Sequence, residues 1–320
     1  MVRVDGTATD GFDTGLFEAS RSRLASLAYR MLGSAADAED AVQDAYLRWQ
    51  AADRRRIETP EAWLTRVVVN LCRDRLRAAH TRRERTVGTW LPEPLLDGDP
   101  MLDPADTVEQ RESVSLAVLT VMERLSPVER AVYLLRETFS YGHAEIAGIL
   151  GITESASQQH LHRARRRISA VRRRGGEVDP ESARRIAEEF FLAASSGRTE
   201  RLVALLTDDA TAISDGAGMT DRMWRYDTPQ RIAGVARAGF ATSRVKRRLT
   251  GGTPSVHSAV VNGGPAILFA VEDRVFGTVT FDLDGGRIAL VRGIAAPVRL
   301  TRLADAWRGD EPGPPLLARW

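Results

Sequence analysis

The chain has 320 residues, which is too long for one small module, and its 43% hydrophobic and 28% charged residues are typical of a folded protein rather than a disordered one. Its single cysteine, Cys72, excludes an intramolecular disulfide and a cysteine-rich zinc site. The net charge of +2 conceals a marked separation of charge along the chain, because 44 of the 45 basic residues are arginines and they cluster.

Two arginine-rich segments lie on either side of an acidic one. Residues 72–85 contain six arginines and residues 160–174 contain seven, whereas residues 91–112 contain seven acidic residues and one arginine. Local fields of this kind decide which charged polymers a surface attracts. No stretch approaches 18 uncharged apolar residues, so we expect no membrane segment and a cytoplasmic location.

Three helices are predicted at the start of the chain. In the first, apolar residues recur every three or four positions until Gly33 ends the helix, and a second covers about residues 36–50. The third begins at Thr59, an N-cap followed by a proline and a glutamate, and continues to about residue 77. These helices predict an all-α unit over residues 12–85.

A linker rich in proline and acidic residues is predicted over residues 86–107. Helices then resume: Ser126 and Glu129 have the spacing of a capping box, and Thr153 is placed to cap a basic helix. These features predict a second all-α unit over residues 108–175.

The pattern changes after residue 180. A helix starting at Asp179-Pro180 and a short one starting at Thr199 come first, and beyond residue 254 apolar residues alternate with polar ones, with a turn at residues 284–286. We therefore predict a separate α+β domain over residues 180–300, followed by a C-terminal tail over residues 301–320.

Residues 141–153, YGHAEIAGILGIT, have the features of a helix-turn-helix: a short helix, a glycine at the tight turn and a second helix. The second helix has an inward stripe formed by Ile152, Ser157, Leu161, Ala164 and Ile168. Its outward amides and arginines suit base edges and phosphates in a major groove. The alternative is an ordinary helical hairpin with a solvated basic face.

These segments resemble the extracytoplasmic-function sigma factors of bacteria. Residues 151–165 resemble their region 4, residues 37–44 (DAEDAVQD) resemble their region 2, and residues 63–77 match the helix that melts the promoter. The three motifs occur in family order, over roughly residues 12–175. Ser157 departs from the larger apolar residue usual in the recognition helix.

The resemblance implies a function and its residues. It implies binding to core RNA polymerase, through the β′ clamp helices and the β flap, and to promoter DNA. The implied −35 contacts are Thr153, Ser155, Gln158, Gln159, His162, Arg163 and Arg166. The implied −10 contacts are Arg55, Arg56, Trp63, Arg66, Asn70, Arg73 and Arg77, with the loop 54–58 resembling the one that captures a flipped base.

Trp63 is equally well explained as a core residue. The implied polymerase-docking face consists of Asp37, Asp40, Gln43 and Asp44 on the second helix. A solvated acidic face is one alternative, and a metal site is another, although carboxylates along one straight helix do not converge as cation ligands must.

The linker sequence WLPEPL resembles the linker of a sigma factor J-like subgroup that carries a SnoaL-like C-terminal extension. This implies a cone-shaped α+β domain, so that the whole chain would be multidomain, with two all-α sigma domains and one α+β domain. The subgroup's DGGGK motif appears as DGAGM at residues 215–219, and its NPDKL motif as APVRL at residues 296–300. The residues implied in regulation between domains are Trp90, Leu91, Pro92, Glu93, Pro94, Asp215, Gly216, Gly218, Pro297 and Leu300.

The extension is expected to pack against the linker and the first domain and to bias the two DNA-binding domains between closed and open arrangements. A related hypothesis is that the acidic linker competes with DNA for the arginine-rich helices. We expect no cofactor, no metal and no catalytic residue, a monomer when free, and room for an unidentified small ligand in the extension. Two alternatives remain: a LuxR-like regulator that is not a sigma factor, and a SnoaL-like enzyme with a DNA-binding module, for which Asp215, Tyr226, Asp227 and His257 are acid-base candidates.

Overall fold

The structure is a computed structural model that describes residues 7–83, 91–103, 113–172, 179–216, 223–241, 252–309 and 314–319. The chain forms two compact units. The first consists of Met1–Arg85, Pro100–Ser113 and Met122–Arg166, and the second of Thr86–Asp99, Val114–Val121 and Arg167–Trp320. Among the described helices, none is both long and apolar enough to cross a bilayer.

The described residues of the N-terminal half form seven helices and two single 3₁₀ turns, Arg54–Arg56 and Pro100–Leu102. The helices are α1 Thr7–Leu32, α2 Ala35–Ala51, α3 Pro60–Arg83, α4 Leu116–Met122, α5 Pro127–Glu137, α6 His143–Leu150 and α7 Glu154–Arg172.

The predicted helix boundaries follow from local chemistry. Gly33 ends α1 with a φ of 64°, and Ser34 caps α2 by accepting a hydrogen bond from the Asp37 N–H at 3.2 Å. The capping box predicted at Ser126 and Glu129 is present at the start of α5. The third helix, α3, continues beyond its predicted end near residue 77.

Two buried arginines hold the first unit together. Arg30 of α1 donates to the Ser113 hydroxyl at 2.9 Å and to the Leu102 carbonyl at 2.8 Å. Burial lowers the pKa of Arg30 to about 10. Arg130 of α5 donates to the carbonyl of Met31 at the end of α1 and to the Glu123 carboxylate at 2.8 Å. The first three helices are thereby tied to the helices that follow the linker.

The second unit is built on a six-stranded sheet in the order β2-β1-β6-β5-β4-β3. Strand β1 pairs with β6 in parallel, and the other neighbouring strands are antiparallel. The strands are β1 Leu206–Ser214, β2 Trp224–Tyr226, β3 Ser255–Val261, β4 Gly264–Val271, β5 Arg274–Asp284 and β6 Arg287–Ile294. The accompanying helices are α8 Pro180–Ser195, α9 Thr199–Leu205, α10 Pro229–Phe240 and α11 Pro297–Gly309.

Both faces of this sheet are covered. Helices α8 to α10 pack on one face around an aromatic core, and α11 packs along β5 with its Leu300 in a second buried cluster beside Ile213 and Ile294. Coverage by α11 explains why Thr278 and Thr280, the polar residues of the alternating pattern, are buried instead of exposed. Residues 301–309 continue this helix, and Leu316 and Leu317 also pack against the aromatic core.

Candidate nucleic-acid interface

The helix-turn-helix has the local geometry that its sequence predicts. Gly151 ends α6 in the left-handed region, with a φ of 66°. Thr153 then accepts a hydrogen bond from the Ala156 N–H at 3.1 Å and so caps α7. Of the predicted inward stripe, Ile152 is half-buried and the other four residues are buried. On the other faces of α7, Gln158, Gln159 and His162 are exposed.

Ser157 is buried because it has a polar partner inside the motif. Its Oγ lies 2.9 Å from Nδ1 of His143, the first residue of α6. A hydroxyl in place of an apolar side chain is thus compensated by a hydrogen bond between the two helices. The departure from the family pattern at Ser157 does not loosen the packing of α7.

All seven residues implied in −35 recognition lie exposed on or just before α7: Thr153, Ser155, Gln158, Gln159, His162, Arg163 and Arg166. Arg163 is partly engaged, because its Nε is 2.9 Å from Oε1 of Glu129 and its Nη2 is 2.8 Å from Nδ1 of His160. Burial and the Arg163 charge lower the pKa of His160, which favours the neutral imidazole. The DNA contacts themselves stay predictions.

Helix α3, implied in −10 recognition, lies against the end of α6. Arg66 donates to the carbonyl of Gly148, and Arg73 donates to the carbonyl of Leu150 at 3.5 Å. Both acceptors belong to the last turn of α6, where unpaired carbonyls and the helix dipole attract cations. Two of the arginines implied in −10 recognition, Arg66 and Arg73, are therefore hydrogen-bonded to backbone carbonyls of α6.

Arg73 is the more enclosed of these two arginines. It also donates to Oδ1 of Asn70 at 3.3 Å, and its Nε is buried without a hydrogen-bond partner. Burial is the main cause that lowers the pKa of Arg73. Arg77, one turn further along, is exposed and lies 3.3 Å from Asp74.

Tyr141, just before α6, strengthens the contact with the first three helices. Its hydroxyl lies 3.1 Å from Oγ1 of Thr65 and accepts a hydrogen bond from Nη2 of Arg23 at 2.9 Å. The Arg23 guanidinium also lies over the Tyr141 ring, 5.4 Å from its centroid. The sequence contained no signal for this contact, since it joins α1 and α3 to the loop before α6.

A cleft of about 500 Å³ separates the loop 56–59 from α6. Its walls include Arg56, Trp63 and Arg66 on one side and Glu145 and Ile149 of α6 on the other. The Trp63 ring packs 5.6 Å from the Trp49 ring and is half-buried, so it is both a packing residue and a wall of the cleft. Arg55 and Arg56 are exposed.

The implied polymerase-docking face contains an arginine that the sequence interpretation missed. Arg75 of α3 lies 2.8 Å from Asp44, 3.8 Å from Asp40 and 4.0 Å from Asp37. The three carboxylates therefore share one guanidinium as an ion-pair partner, while their spacing along α2 does not bring them together as ligands of a metal ion. Gln43 is exposed beside them.

Metal binding is not indicated at this face or elsewhere in the parts of the chain that the structure describes, where no group of three His, Cys, Asp or Glu residues is arranged to hold an ion. Cys72 is completely buried, and burial raises the pKa of its thiol to about 12. Cys72 therefore acts as a small core residue of the first unit.

The linker residues 91–96 are buried, and the contacts that anchor them lie within the second unit. Leu91 packs in the cluster with Ile213, Ile294 and Leu300, and Arg299 of α11 donates to the Leu91 carbonyl. Of the residues implied in regulation, Leu91, Pro92, Glu93, Pro94 and Leu300 are buried and Pro297 is exposed. Trp90 and Gly218 lie outside the described residues.

Asp215 holds the chain immediately before α11. Its carboxylate accepts hydrogen bonds from the N–H groups of Ala295 at 3.0 Å and Ala296 at 2.9 Å. Gly216 has a φ of 61°, and its N–H donates to the Ser214 hydroxyl at 3.2 Å. Asp215 and Gly216, which match the first two residues of the DGGGK motif, therefore position the start of α11, where the APVRL segment lies.

The acidic linker residue Asp99 is paired inside the second unit. Nε and Nη2 of Arg302 lie 2.6 Å and 3.0 Å from its two oxygens. This carboxylate is not available to compete with DNA, which corrects the competition hypothesis at this position. Asp97 and Asp103 are exposed, and Asp106 lies outside the described residues.

The α+β domain contains a core cluster of aromatic side chains, and the acid-base candidates Asp227 and His257 have separate surroundings. Asp227 is exposed and pairs with Arg231 at 3.3 Å, while the His257 ring packs 5.0 Å from the Trp307 ring. The aromatic core consists of Phe190, Phe191, Phe240, Phe269 and Phe281.

Comparisons with known proteins agree with this architecture. Residues 16–83 match the model of sigma-70 region 2, and residues 115–168 match the model of sigma-70 region 4. The chain is 41% identical over 203 residues to the ECF RNA polymerase sigma factor SigJ of Mycobacterium tuberculosis, an alignment that covers 63% of this chain and 64% of SigJ. That alignment spans slightly less than two thirds of the relative.

Two further comparisons cover nearly the whole chain. The probable ECF RNA polymerase sigma factor SigI of M. tuberculosis is 31% identical over 293 residues, which is 90% of this chain and 94% of SigI. The crystal structure of M. tuberculosis SigJ superposes with a TM-score of 0.66 at 30% identity, covering 90% of this chain and 98% of that one. The expected fold class, helical sigma domains followed by an α+β domain, is confirmed. The chain belongs to the extracytoplasmic-function RNA polymerase sigma factors.

Proposed function

We propose that this chain directs transcription initiation as a sigma subunit, with α7 in the −35 major groove and α3 with the loop 54–58 at the −10 element. The observation that carries the proposal is the exposed polar face of α7, presented by a complete helix-turn-helix in the same unit as α3. The amides of Gln158 and Gln159 suit adenine edges, and the arginines suit phosphates.

Core polymerase is the proposed protein partner. The exposed carboxylates of α2 would dock on the β′ clamp helices, and the helix-turn-helix segment would meet the β flap. We assign residues 12–85 and 108–175 to these two functions and place the protein in the cytoplasm with the polymerase. A LuxR-like regulator is set aside, because such a protein needs neither α3 nor the acidic face of α2.

The C-terminal domain is proposed to act by holding the linker, with residues 180–300 as its core and 301–320 as a supporting extension. Leu91, Arg299 and the Arg302–Asp99 pair support this role. We propose that the domain acts through its contacts with the linker and not through catalysis, since the described contacts of Leu91 and Asp99 lie in this domain. Release of the linker would shift the two DNA-binding segments from a closed to an open arrangement.

Run-off transcription with purified core polymerase tests the sigma function. A promoter is first selected from random DNA with the full chain and core polymerase, and it is then transcribed by the wild-type chain and by the Gln158→Ala, Gln159→Ala double variant. We expect promoter-specific product from the wild type and a loss of about tenfold or more in the double variant, because each lost bidentate base contact weakens discrimination by about 1–3 kcal/mol.

Gln230→Ala is the matched control, since Gln230 is exposed on α10 in the other unit. It should transcribe as the wild type does. Absence of any promoter-specific product from the wild-type chain with core polymerase would overturn the proposal.

A further inference from the structure

The turn between β3 and β4 contains a side chain with a role beyond the turn. Asn262 and Gly263 have φ values of 50° and 72°, which suit the two-residue hairpin that favours Asn-Gly. A side chain in such a turn is ordinarily solvated. Asn262 is instead only 1% exposed.

The Asn262 amide binds two segments that are distant in sequence. Its Oδ1 accepts a hydrogen bond from the Leu95 N–H at 2.9 Å, and its Nδ2 donates to the Val114 carbonyl at 2.8 Å. Its own N–H donates to the Leu95 carbonyl at 2.9 Å. One residue therefore satisfies backbone groups on both sides of residues 96–113.

The linker residues that follow Leu95 also pair with β3. Leu96 forms an antiparallel bridge with Val261, and the Asp97 N–H donates to the Val260 carbonyl at 3.0 Å. The linker thus covers the end of an edge strand next to the turn. On the other side, Val114 is buried just before α4, the helix with which the matched region 4 begins.

We propose that Asn262 is the positioning residue that closes residues 96–113 into a loop on the C-terminal domain, holding the entry to this segment at Leu95 of the linker and its exit at Val114, just before α4, together. Both ends are then held or released as one unit, and promoter-dependent initiation responds to that release. The link to initiation rests on the proposed sigma function, whereas the closure of the loop does not.

The chemistry of the amide makes the proposal specific. Asparagine supplies one acceptor and one donor at the end of a short side chain, which Leu95 and Val114 use separately. Aspartate has a similar shape and keeps the acceptor, but it brings a carboxylate oxygen against the Val114 carbonyl. Glycine keeps the positive φ and removes both bonds. The two substitutions therefore separate the entry contact from the exit contact.

Hydrogen exchange on the full chain without polymerase tests the closure. Asn262→Gly should accelerate amide exchange about tenfold in residues 91–99 and in residues 113–121, because both segments lose a buried hydrogen bond. Asn262→Asp should accelerate exchange in residues 113–121 and leave the Leu95 amide protected. Exchange in both segments at the wild-type rate in Asn262→Gly would overturn the proposal.

Glu272→Gly is the matched control for the backbone change. Glu272 occupies a left-handed position, with a φ of 55°, in the exposed turn between β4 and β5 of the same sheet. It should leave exchange in residues 91–99 and in residues 113–121 unchanged. Acceleration by Glu272→Gly as large as that caused by Asn262→Gly would count against the proposal, since it would reflect a general loosening of the sheet.

A second measurement tests the response of initiation. With core polymerase and the selected promoter, Asn262→Gly should raise transcription several-fold at limiting protein. If exchange accelerates but transcription equals that of the wild type, the regulatory role of Asn262 is refuted while loop closure stands. If the wild-type chain gives no product at all, the sigma function fails and the exchange result is unaffected.

Discussion

Arg302 and Asp99 form a bidentate ion pair between α11 and the linker, with nitrogen–oxygen distances of 2.6 Å and 3.0 Å. The Asp99 side chain is only 4% exposed and that of Arg302 is 25% exposed. Removing one partner of a buried pair leaves the other charge uncompensated, which is costly. The pair is therefore a strong determinant of where the linker is held.

Arg302→Ala is expected to lower the free energy of unfolding of the second unit by about 2–3 kcal/mol, because it leaves the Asp99 carboxylate buried without its partner. Arg302→Lys should retain part of that stability, since a lysine keeps the charge and loses the two-pronged geometry. The measurement is hydrogen exchange of the sheet strands as a function of urea. Arg308→Ala, which removes an exposed arginine from the same helix, is the control and should cost less than about 1 kcal/mol. An Arg302→Ala variant as stable as the Arg308→Ala variant would contradict the prediction.

The contact between α3 and α6 gives a second prediction, concerning single-stranded DNA. Tyr141→Phe removes hydrogen bonds to Arg23 and Thr65 without altering any residue implied in DNA binding. Loss of about 1 kcal/mol should weaken the contact that engages Arg66 and Arg73. We therefore expect the affinity for a labelled oligonucleotide carrying the −10 sequence to rise about fivefold, as measured by fluorescence anisotropy.

Tyr46→Phe is the control for this measurement, because the Tyr46 hydroxyl is bonded to Gln50 on the same helix at 2.9 Å. Its affinity for the oligonucleotide should equal that of the wild type. An unchanged affinity in Tyr141→Phe would show that the contact between α3 and α6 does not limit access to the DNA-binding arginines.

The elements that could be predicted from sequence are those whose cause is local. The capping box of Ser126 and Glu129 and the left-handed Gly151 act within a few residues of the boundaries they set. The order of residues along the chain is therefore sufficient to place the helix-turn-helix and to assign its inward and outward faces.

The missed residues act across the fold. Arg75 reaches an aspartate 31 positions away, and Asn262 reaches a carbonyl 148 positions away. The arginine-rich helix explains the presence of Arg75, and the Asn-Gly turn explains the presence of Asn262. Neither sequence pattern therefore indicates a distant partner. Tertiary packing alone decides these contacts.

The polymerase-docking face gives a third prediction. Arg75 lies within 4.0 Å of all three carboxylates implied in docking and offsets their charge. If a basic surface of core polymerase binds these carboxylates, Arg75→Ala should raise the affinity for core polymerase several-fold at low salt, and the gain should shrink as salt increases. Asp40→Ala should lower that affinity. Arg21→Ala, an exposed arginine paired with Glu18 on α1, is the control. A fall in affinity in Arg75→Ala would refute the assignment of this face.

The buried thiol gives a prediction about pH. Burial raises the pKa of Cys72 from 9.0 to about 12, so the folded chain keeps the thiol protonated at a pH where the unfolded chain has lost the proton. The unfolded state then binds fewer protons than the folded state, and the contribution of Cys72 to stability falls as pH rises above 9. Between pH 9 and 11 the loss approaches about 1.4 kcal/mol per pH unit.

Comparison with Cys72→Ala isolates this effect from the other groups that titrate at high pH. The difference in free energy of unfolding between the wild type and the variant should be constant from pH 7 to 8 and should shrink between pH 9 and 11, since alanine has no proton to lose. Denaturant unfolding at each pH measures it. Reaction with a thiol reagent at pH 8 provides a second readout: the native chain should react only after denaturant is added, because the thiolate is the reactive form and Cys72 is inaccessible. If the difference in free energy of unfolding stays constant to pH 11, or if the native chain is labelled rapidly, the Cys72 thiol is not shielded from water in the folded chain.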